Sequence, residues 1–351
     1  MTVIDRHTVF ENLRGLTDGT RLARCVEALY DDESVVRATN PLGDFRGVSD
    51  IVEGLWLPLI RAMRGLERRP LVFVAQDGPQ GDTGLDAQKV ATLGHLVGEF
   101  NGPWCGIEPT GSTVFLRFAE IHEFAGGRIA RTTMFLDVVD LLLQCGRSVF
   151  PPAPGREILW PGPRFDVAAP GLRLEAADDK TTYATLDVVR RMQHDLHDDA
   201  TTREQMLHAG HLRHWSPTFS WFGPAGIGTC RGAEGFVDHH QLPFRRALPD
   251  RVGGGVTKGH FAKFADGPFA VTAGWPSVRG THLGDGWLGL DATGRSIDLR
   301  VTDFYSVGRD GLIVDNWVMI DLLHLCEQLD IPTGLCPPTS VAGTSNERIS
   351  R

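Results

Sequence analysis

The chain has 351 residues, 42% hydrophobic and 23% charged, an ordinary globular composition with ample material for a buried core. Its 44 acidic against 35 basic residues leave a formal net charge of -9, and no Lys/Arg run offsets it, so nucleic-acid binding is not expected. The longest apolar runs fall far short of the roughly 18 residues of a membrane span, and the opening residues show no apolar signal-peptide core.

In chain order, a helix is expected near 20–30 and another at 49–64, after an Arg-Gly pair. Strands follow at 71–76, 89–98, 112–124 and 129–136, and a short helix closes the series at DVVDLLLQCG. A Pro/Gly-rich stretch without periodicity then reads as a linker. After it come helices at 182–197, 202–213 and 234–248, strands at 256–264, 269–276, 295–307 and 312–320, and a closing helix at DLLHLCEQLD. The tail is polar.

The same order occurs twice, and the residues agree. GDFRGVSDIVEGLWLPLIRAM (43–63) matches GTCRGAEGFVDHHQLPFRRAL (228–248), sharing Arg46/Arg231, Gly47/Gly232, Pro58/Pro243 and Arg61/Arg246. WCGIEPTGSTVFLRFAE (104–120) matches WLGLDATGRSIDLRVTD (287–303), and 129–144 matches 313–328 at nearly the same spacing. A repeat this long is a duplicated domain rather than a solenoid unit. The expected division is 1–150, a linker 151–175, 176–336, and a tail 337–351. Helices followed by a meander of long strands argue α+β. In each unit the helices cover one face of a curved antiparallel sheet and enclose a pocket.

Strand alternation assigns the faces of the last hairpin. Leu299, Val301, Asp303 and Tyr305 share one face with Val314, Asn316, Val318 and Ile320. A turn centred near 309–310 would set Asp303 directly opposite Asn316. Glu120 and Thr132 take the same level in the first copy. A carboxylate on an apolar face is costly unless hydrogen-bonded, and burial raises its pKa towards the range useful for proton transfer. A structural Asp–Asn hydrogen bond is the plainer reading of the same pair. Four histidines, His239, His240, His260 and His282, have no histidine counterpart in the first copy. Each alone is most often structural; several beside a buried acid suggest a proton-transfer site.

Other motifs are weaker. HxxH at 194/197 and HxxHxxH at 208/211/214 read as a His-rich helical surface, and no metal is expected. GPAGIG (223–228) lacks phosphate-loop spacing and reads as a turn at the pocket mouth. The six cysteines lie far apart without a CxxC, as in a cytoplasmic protein with reduced thiols. No nucleophile motif is present, and no cofactor is implied.

The stretch GTHLGDGWLGLDATGRSIDLRVTDFYSVGRDGLIVDNWVMIDLLHLCEQLD (280–330) resembles the SnoaL-like polyketide cyclases, also called ester cyclases, of the NTF2-like superfold. Gly280, Thr281, His282, Gly284, Thr293, Gly294, Arg300, Asp303, Phe304, Asn316, Trp317, Asp321 and Gln328 carry the resemblance. The first copy fits weakly, keeping Thr110, Gly111, Arg117, Ile129, Asp137 and Gln144. The resemblance implies two cone-shaped α+β domains with deep apolar pockets and a cofactor-free intramolecular aldol cyclisation. It places the family's catalytic aspartate on Val318 and Met134, and its histidine near Asp303 and Glu120. The acid has therefore moved.

The expected activity is cofactor-independent acid/base chemistry on a small carbonyl compound: cyclisation, isomerisation or elimination. Asp303 is the expected acid/base, oriented by Asn316, with His260 or His282 facing the oxyanion. Trp221, Trp275, Trp287, His240, Tyr305 and Val318 are expected substrate contacts. Asp321 reads chiefly as a helix N-cap. The alternative is a non-catalytic small-molecule-binding or assembly protein. The expected partners are a small-molecule substrate and, within the chain, the other copy in a sheet-to-sheet pseudo-dimer. No membrane is expected, and further homo-oligomerisation is left open.

Overall fold

A computed structural model describes residues 4–76, 78, 80, 88–164, 170–196, 200–253 and 260–338. The start of the strand expected at 256, His197, part of the linker and most of the tail lie outside them. Among the described residues, no helix is long and apolar enough to cross a membrane.

The first sheet is built from Val35–Ala38 (β1), Gly43–Arg46 (β2), Met63–Gln76 (β3), Gln88–Phe100 (β4), Thr113–Ala125 (β5) and Arg128–Leu136 (β6). The second uses Trp215–Phe222 (β7), Thr229–Arg231 (β8), Val252–Gly253 (β9), His260–Asp266 (β10), Phe269–Thr281 (β11), Ser296–Val307 (β12) and Ile313–Ile320 (β13). The strand order is β2-β1-β6-β5-β4-β3 in one and β8-β7-β13-β12-β11-β10 in the other. These are the same order, so the duplication extends to topology. The fold is α+β, and each sheet carries its helices on one face.

Two expectations need correction. The sheets are mixed rather than antiparallel, because β1 joins β6 and β7 joins β13 in parallel. The chain between those partners is long enough to return to the same end of the sheet, which parallel pairing requires. The short strands β1, β2 and β8 went unrecognised, since three or four residues hold too little alternation to register. The helix expected at 202–213 is a five-residue helix, Arg203–Leu207, followed by a 3-10 turn, Gly210–His214.

The helix after each Arg-Gly pair contains a π-helical stretch, Ile51–Trp56 in one copy and Val237–Gln241 in the other. Pro58 and Pro243 follow at the start of the next α-helical turn. Such π segments are rare and tend to mark functional positions. The second one carries His240.

Apolar residues form two clusters. The larger lies between each sheet and its helices. The smaller joins the outer faces of the two sheets, with Val72, Leu93, Ile121 and Phe135 meeting Phe264, Val271, Phe304 and Trp317. Residues 151–164 are more than a linker. Arg156 N donates to Thr229 O at 2.9 Å, and Trp317 Nε1 donates to Pro161 O at 3.1 Å. Trp160 is buried in the smaller cluster. This segment straps the sheets together.

The ends of the sheets are cross-linked in a repeated way. Asp137 caps the helix Val138–Gln144, pairs with Arg117 at 3.0 Å, and accepts Ala225 N at 3.0 Å from the other half. Asp321 caps the helix Leu322–Gln328, pairs with Arg300 at 3.0 Å, and accepts Asn40 N at 3.2 Å. Asp321 is thus an N-cap, as expected, and also a bond between halves. GPAGIG belongs to this contact through Ala225, so it is not the mouth of the Asp303 pocket.

Candidate active site

In the second unit the sheet and helices enclose a mostly apolar cavity of about 120 Å³. Strand alternation brings Leu299, Val301, Asp303 and Tyr305 of β12 into it, with Asn316, Val318 and Ile320 of β13. The face assignment holds for these residues. Val314 departs from it and joins the intersheet cluster. A register shift between Ser306 and Val307 breaks the alternation near the turn, as an inserted residue must.

That shift also changes the pairing. Asp303 lies opposite Val318, and Tyr305 lies opposite Asn316. Asp303 and Asn316 are therefore diagonal neighbours, joined at 3.4 Å from Nδ2 to Oδ1. The same Nδ2 also donates to Phe304 O at 3.2 Å, so Asn316 is fixed by the backbone as well. In the first unit Glu120 lies opposite Met134, and Thr132 lies opposite His122. The turns are centred further along than 309–310 assumes, because the sequence does not reveal the bulges.

Burial pushes the Asp303 carboxyl up to about 6, while hydrogen bonds from Asn316 and Tyr305 pull the other way. Desolvation wins, because neutral hydrogen bonds return only part of the hydration of a carboxylate. Tyr305 is raised well above its ordinary range, by burial first and then by the Asp303 charge. Thr272 and Gln193 oppose that rise.

His260 and His240 line the same cavity. His260 Nε2 meets Ser277 Oγ at 2.7 Å. Extra residues in β11 between Gly274 and Val278 bring Ser277 there, a bulge re-aiming a side chain. Burial lowers His260 to about 4. His240 stacks on Trp221 with ring centroids 4.1 Å apart, and burial takes it down to about 3. Both imidazoles are neutral at pH 7.

Seven of the ten expected site residues meet here: Asp303, Asn316, His260, His240, Trp221, Tyr305 and Val318. Three do not. His282 is fully buried in the loop after β11, where its Nδ1 meets Thr293 Oγ1 at 3.3 Å and its carbonyl accepts Gly294 N. It fastens that loop. Trp275 continues the face of Val271 and Ala273 by simple alternation, so it packs towards the intersheet cluster, under Arg300 at 4.5 Å. Trp287 sits behind Phe244, at 5.3 Å. Gln193 and Trp215 line the cavity but went unnoticed, because neither the helix Asp179–Asp195 nor β7 carries a motif around them.

At the corresponding place in the first unit the carboxylate is met by buried polar side chains. Arg68 pairs with Glu120 and lies over the Phe118 ring at 4.4 Å. His122 Nε2 stands 3.3 Å from Glu120, and its Nδ1 meets Thr132 Oγ1 at 2.9 Å. Burial alone would raise Glu120, but the Arg68 charge and His122 together hold it below the ordinary range. This carboxylate is a structural anion.

Among the described residues, no group of three His, Cys, Asp or Glu side chains is arranged to hold a metal ion.

Comparison with known families places a match to the SnoaL-like polyketide cyclases at residues 257–329. That span contains His260, Asp303, Asn316 and Val318. No curated protein matches the chain. Among solved structures, a candidate SnoaL-like polyketide cyclase from Jannaschia sp. CCS1 is 16% identical, covering 45% of this chain and 99% of that one, with a TM-score of 0.35. An NTF2-like protein from Burkholderia xenovorans LB400 is also 16% identical, covering 42% and 96%, with a TM-score of 0.31.

Proposed function

We propose that the second unit is a cofactor-independent acid/base catalyst acting on a small carbonyl compound. The observation that carries this reading is Asp303, a carboxylate poised near pH 6 on the wall of an apolar cavity. A base with that pKa is ionised at neutral pH and still gives the proton back readily. Asp303 takes a proton from the carbon next to the carbonyl, and the electron pair moves onto the carbonyl oxygen. With Nε2 accepting from Ser277, neutral His260 donates Nδ1–H to that oxygen. The enolate then closes a ring on a second carbonyl, expels a leaving group, or is reprotonated elsewhere by Asp303.

The resemblance supports the family setting and explains the displaced acid. Its aspartate position is Val318, directly across from Asp303. Side chains so opposed are about 5 Å apart, so a carboxylate crosses one strand and stays in the same cavity. We further propose units 1–150 and 176–336, with chemistry confined to the second. The buried Arg68–Glu120 pair of the first favours a role in assembly.

The test is deuterium exchange. Small enolisable ketones in D2O should exchange the hydrogens next to the carbonyl with the wild-type protein, and Asp303→Asn should abolish this. Exchange that persists in Asp303→Asn, or never occurs, overturns the reading.

A further inference from the structure

Four buried polar atoms in the wall of the Asp303 cavity have no hydrogen-bond partner. They are Gln193 Oε1, Trp215 Nε1, His240 Nδ1 and His260 Nδ1. Gln193, Trp215 and His240 are 3%, 6% and 8% exposed, so bulk water does not serve them. Leaving such an atom unpaired is costly, and native proteins seldom tolerate several together. Here they come from four different elements, and all four residues line one mostly apolar cavity. The fold has no structural use for that arrangement. A ligand that pairs with them does.

From this we infer that the cavity binds a small, uncharged hydroxy-carbonyl compound, held by its hydroxyl at Gln193 and by an oxygen acceptor at Trp215. The inference rests on the catalytic reading of the same cavity and adds the substrate class. Gln193 Nε2 donates to Thr272 Oγ1 at 3.2 Å, which leaves Oε1 as an acceptor that needs a donor. An indole N–H only donates, so Trp215 needs an acceptor. A simple ketone has no donor, whereas a hydroxy-ketone meets both demands. The two imidazoles are neutral, and among the described residues no Lys or Arg lines the cavity. A carboxylate ligand would therefore lie beside Asp303 with no cation to offset it. At about 120 Å³ the cavity is close to those that hold a benzene-sized molecule, about 150 Å³. Six or so heavy atoms fit.

Three probes of that size separate the possibilities: 4-hydroxybutan-2-one, its isostere pentan-2-one, and butanoate. Binding is read by ligand-observed NMR, and turnover by exchange in D2O. The hydroxy-ketone should bind the wild-type protein roughly tenfold or more tightly than pentan-2-one. In Gln193→Leu that ratio should fall to about one. In Trp215→Phe both ketones should weaken together and the ratio should persist. Equal binding of the two ketones to wild type, or tightest binding of butanoate, overturns the inference, and this comparison needs no variant to fold. A hydroxyl preference without exchange sustains the inference and removes the catalytic reading. Exchange of both ketones without a preference does the reverse.

Discussion

Glu120 and Asp303 stand at corresponding places on the fifth and twelfth strands, each aimed between sheet and helices. Their fates differ through their neighbours. Glu120 has an arginine and a histidine beside it. Asp303 has an asparagine, a tyrosine and a cavity. An arginine from the neighbouring region of sheet neutralises the first carboxylate. Without such a cation, the second keeps its proton to a higher pH. One scaffold thus makes either a buried ion pair or a poised base, and the presence of a single long cation decides which.

The sharpest way to break the comparison is activity. Asp303→Asn should lower turnover by roughly 100- to 10,000-fold, the usual contribution of a positioned general base. Glu120→Gln should leave kcat within about twofold of wild type, since its partners lie in the other unit's interior. A reversal of these two results in a steady-state assay would move the chemistry to the first unit.

Stability should respond in the opposite sense. Arg68→Ala strands Glu120 in a buried site and should cost about 3–5 kcal/mol in urea unfolding. Arg68→Met combined with Glu120→Gln should recover most of that loss, because no charge is then left unpaired. If Arg68→Ala costs less than 1 kcal/mol, the pair is not what holds that interior.

The pH dependences should also oppose one another. The unfolded Asp303 carboxyl ionises near 3.8 and the folded one at about 6. Its contribution to stability is full below pH 4, falls as pH rises to 6, and is flat beyond. Asp303→Asn removes this slope and should stabilise the protein by about 2 kcal/mol at pH 7. Glu120 is lowered, so its contribution is present above pH 4.5 and lost as pH falls through its folded value. Unfolding curves from about pH 2 to 7 would show both, Asp303 in the upper part of that range and Glu120 below pH 4.5. A large loss of stability at pH 7 in Asp303→Asn would mark Asp303 as a structural anion like Glu120.

The smallest effects belong to the helix caps. Asp321→Ala removes a cap and a bond to Asn40, and should cost about 1–2 kcal/mol. Asp137→Ala should cost less, because Asp140 stands 3.3 Å from Arg117 and keeps it paired. Thermal unfolding of the two variants side by side would rank them.

Much of this was legible in the sequence because duplication prints every signal twice. The long strands, their cavity-facing residues and Asp303 follow from a period of two and one acid among apolar neighbours. Register was not legible. The placement of the turn and the bulge beside Ser306 together set Asn316 diagonal to Asp303 rather than facing it, and neither leaves a mark in composition. His282 misled because a buried loop histidine and a catalytic one look alike in a Gly-rich motif. Gln193 and Trp215 were invisible because their importance lies in what they fail to bond. Arg68 was hidden for a related reason. Only the folded sheet carries it, from a stretch assigned to no element in the sequence, to a place beside Glu120.

The paired caps have a consequence for how this chain can be cut. Asp137 and Asp321 each cap their own helix with one oxygen and lend the second to a backbone N–H of the other half, Ala225 and Asn40, so each half satisfies part of the other's backbone. Behind them, Phe135 and Trp317 share a single apolar seam. A fragment released by cleavage between the halves would show that seam to solvent and lose a backbone partner at its own end. Each copy has become part of the other's surface, and the merger is a one-way step. The first copy, whatever its own chemistry, supplies contacts that the second copy's surface needs.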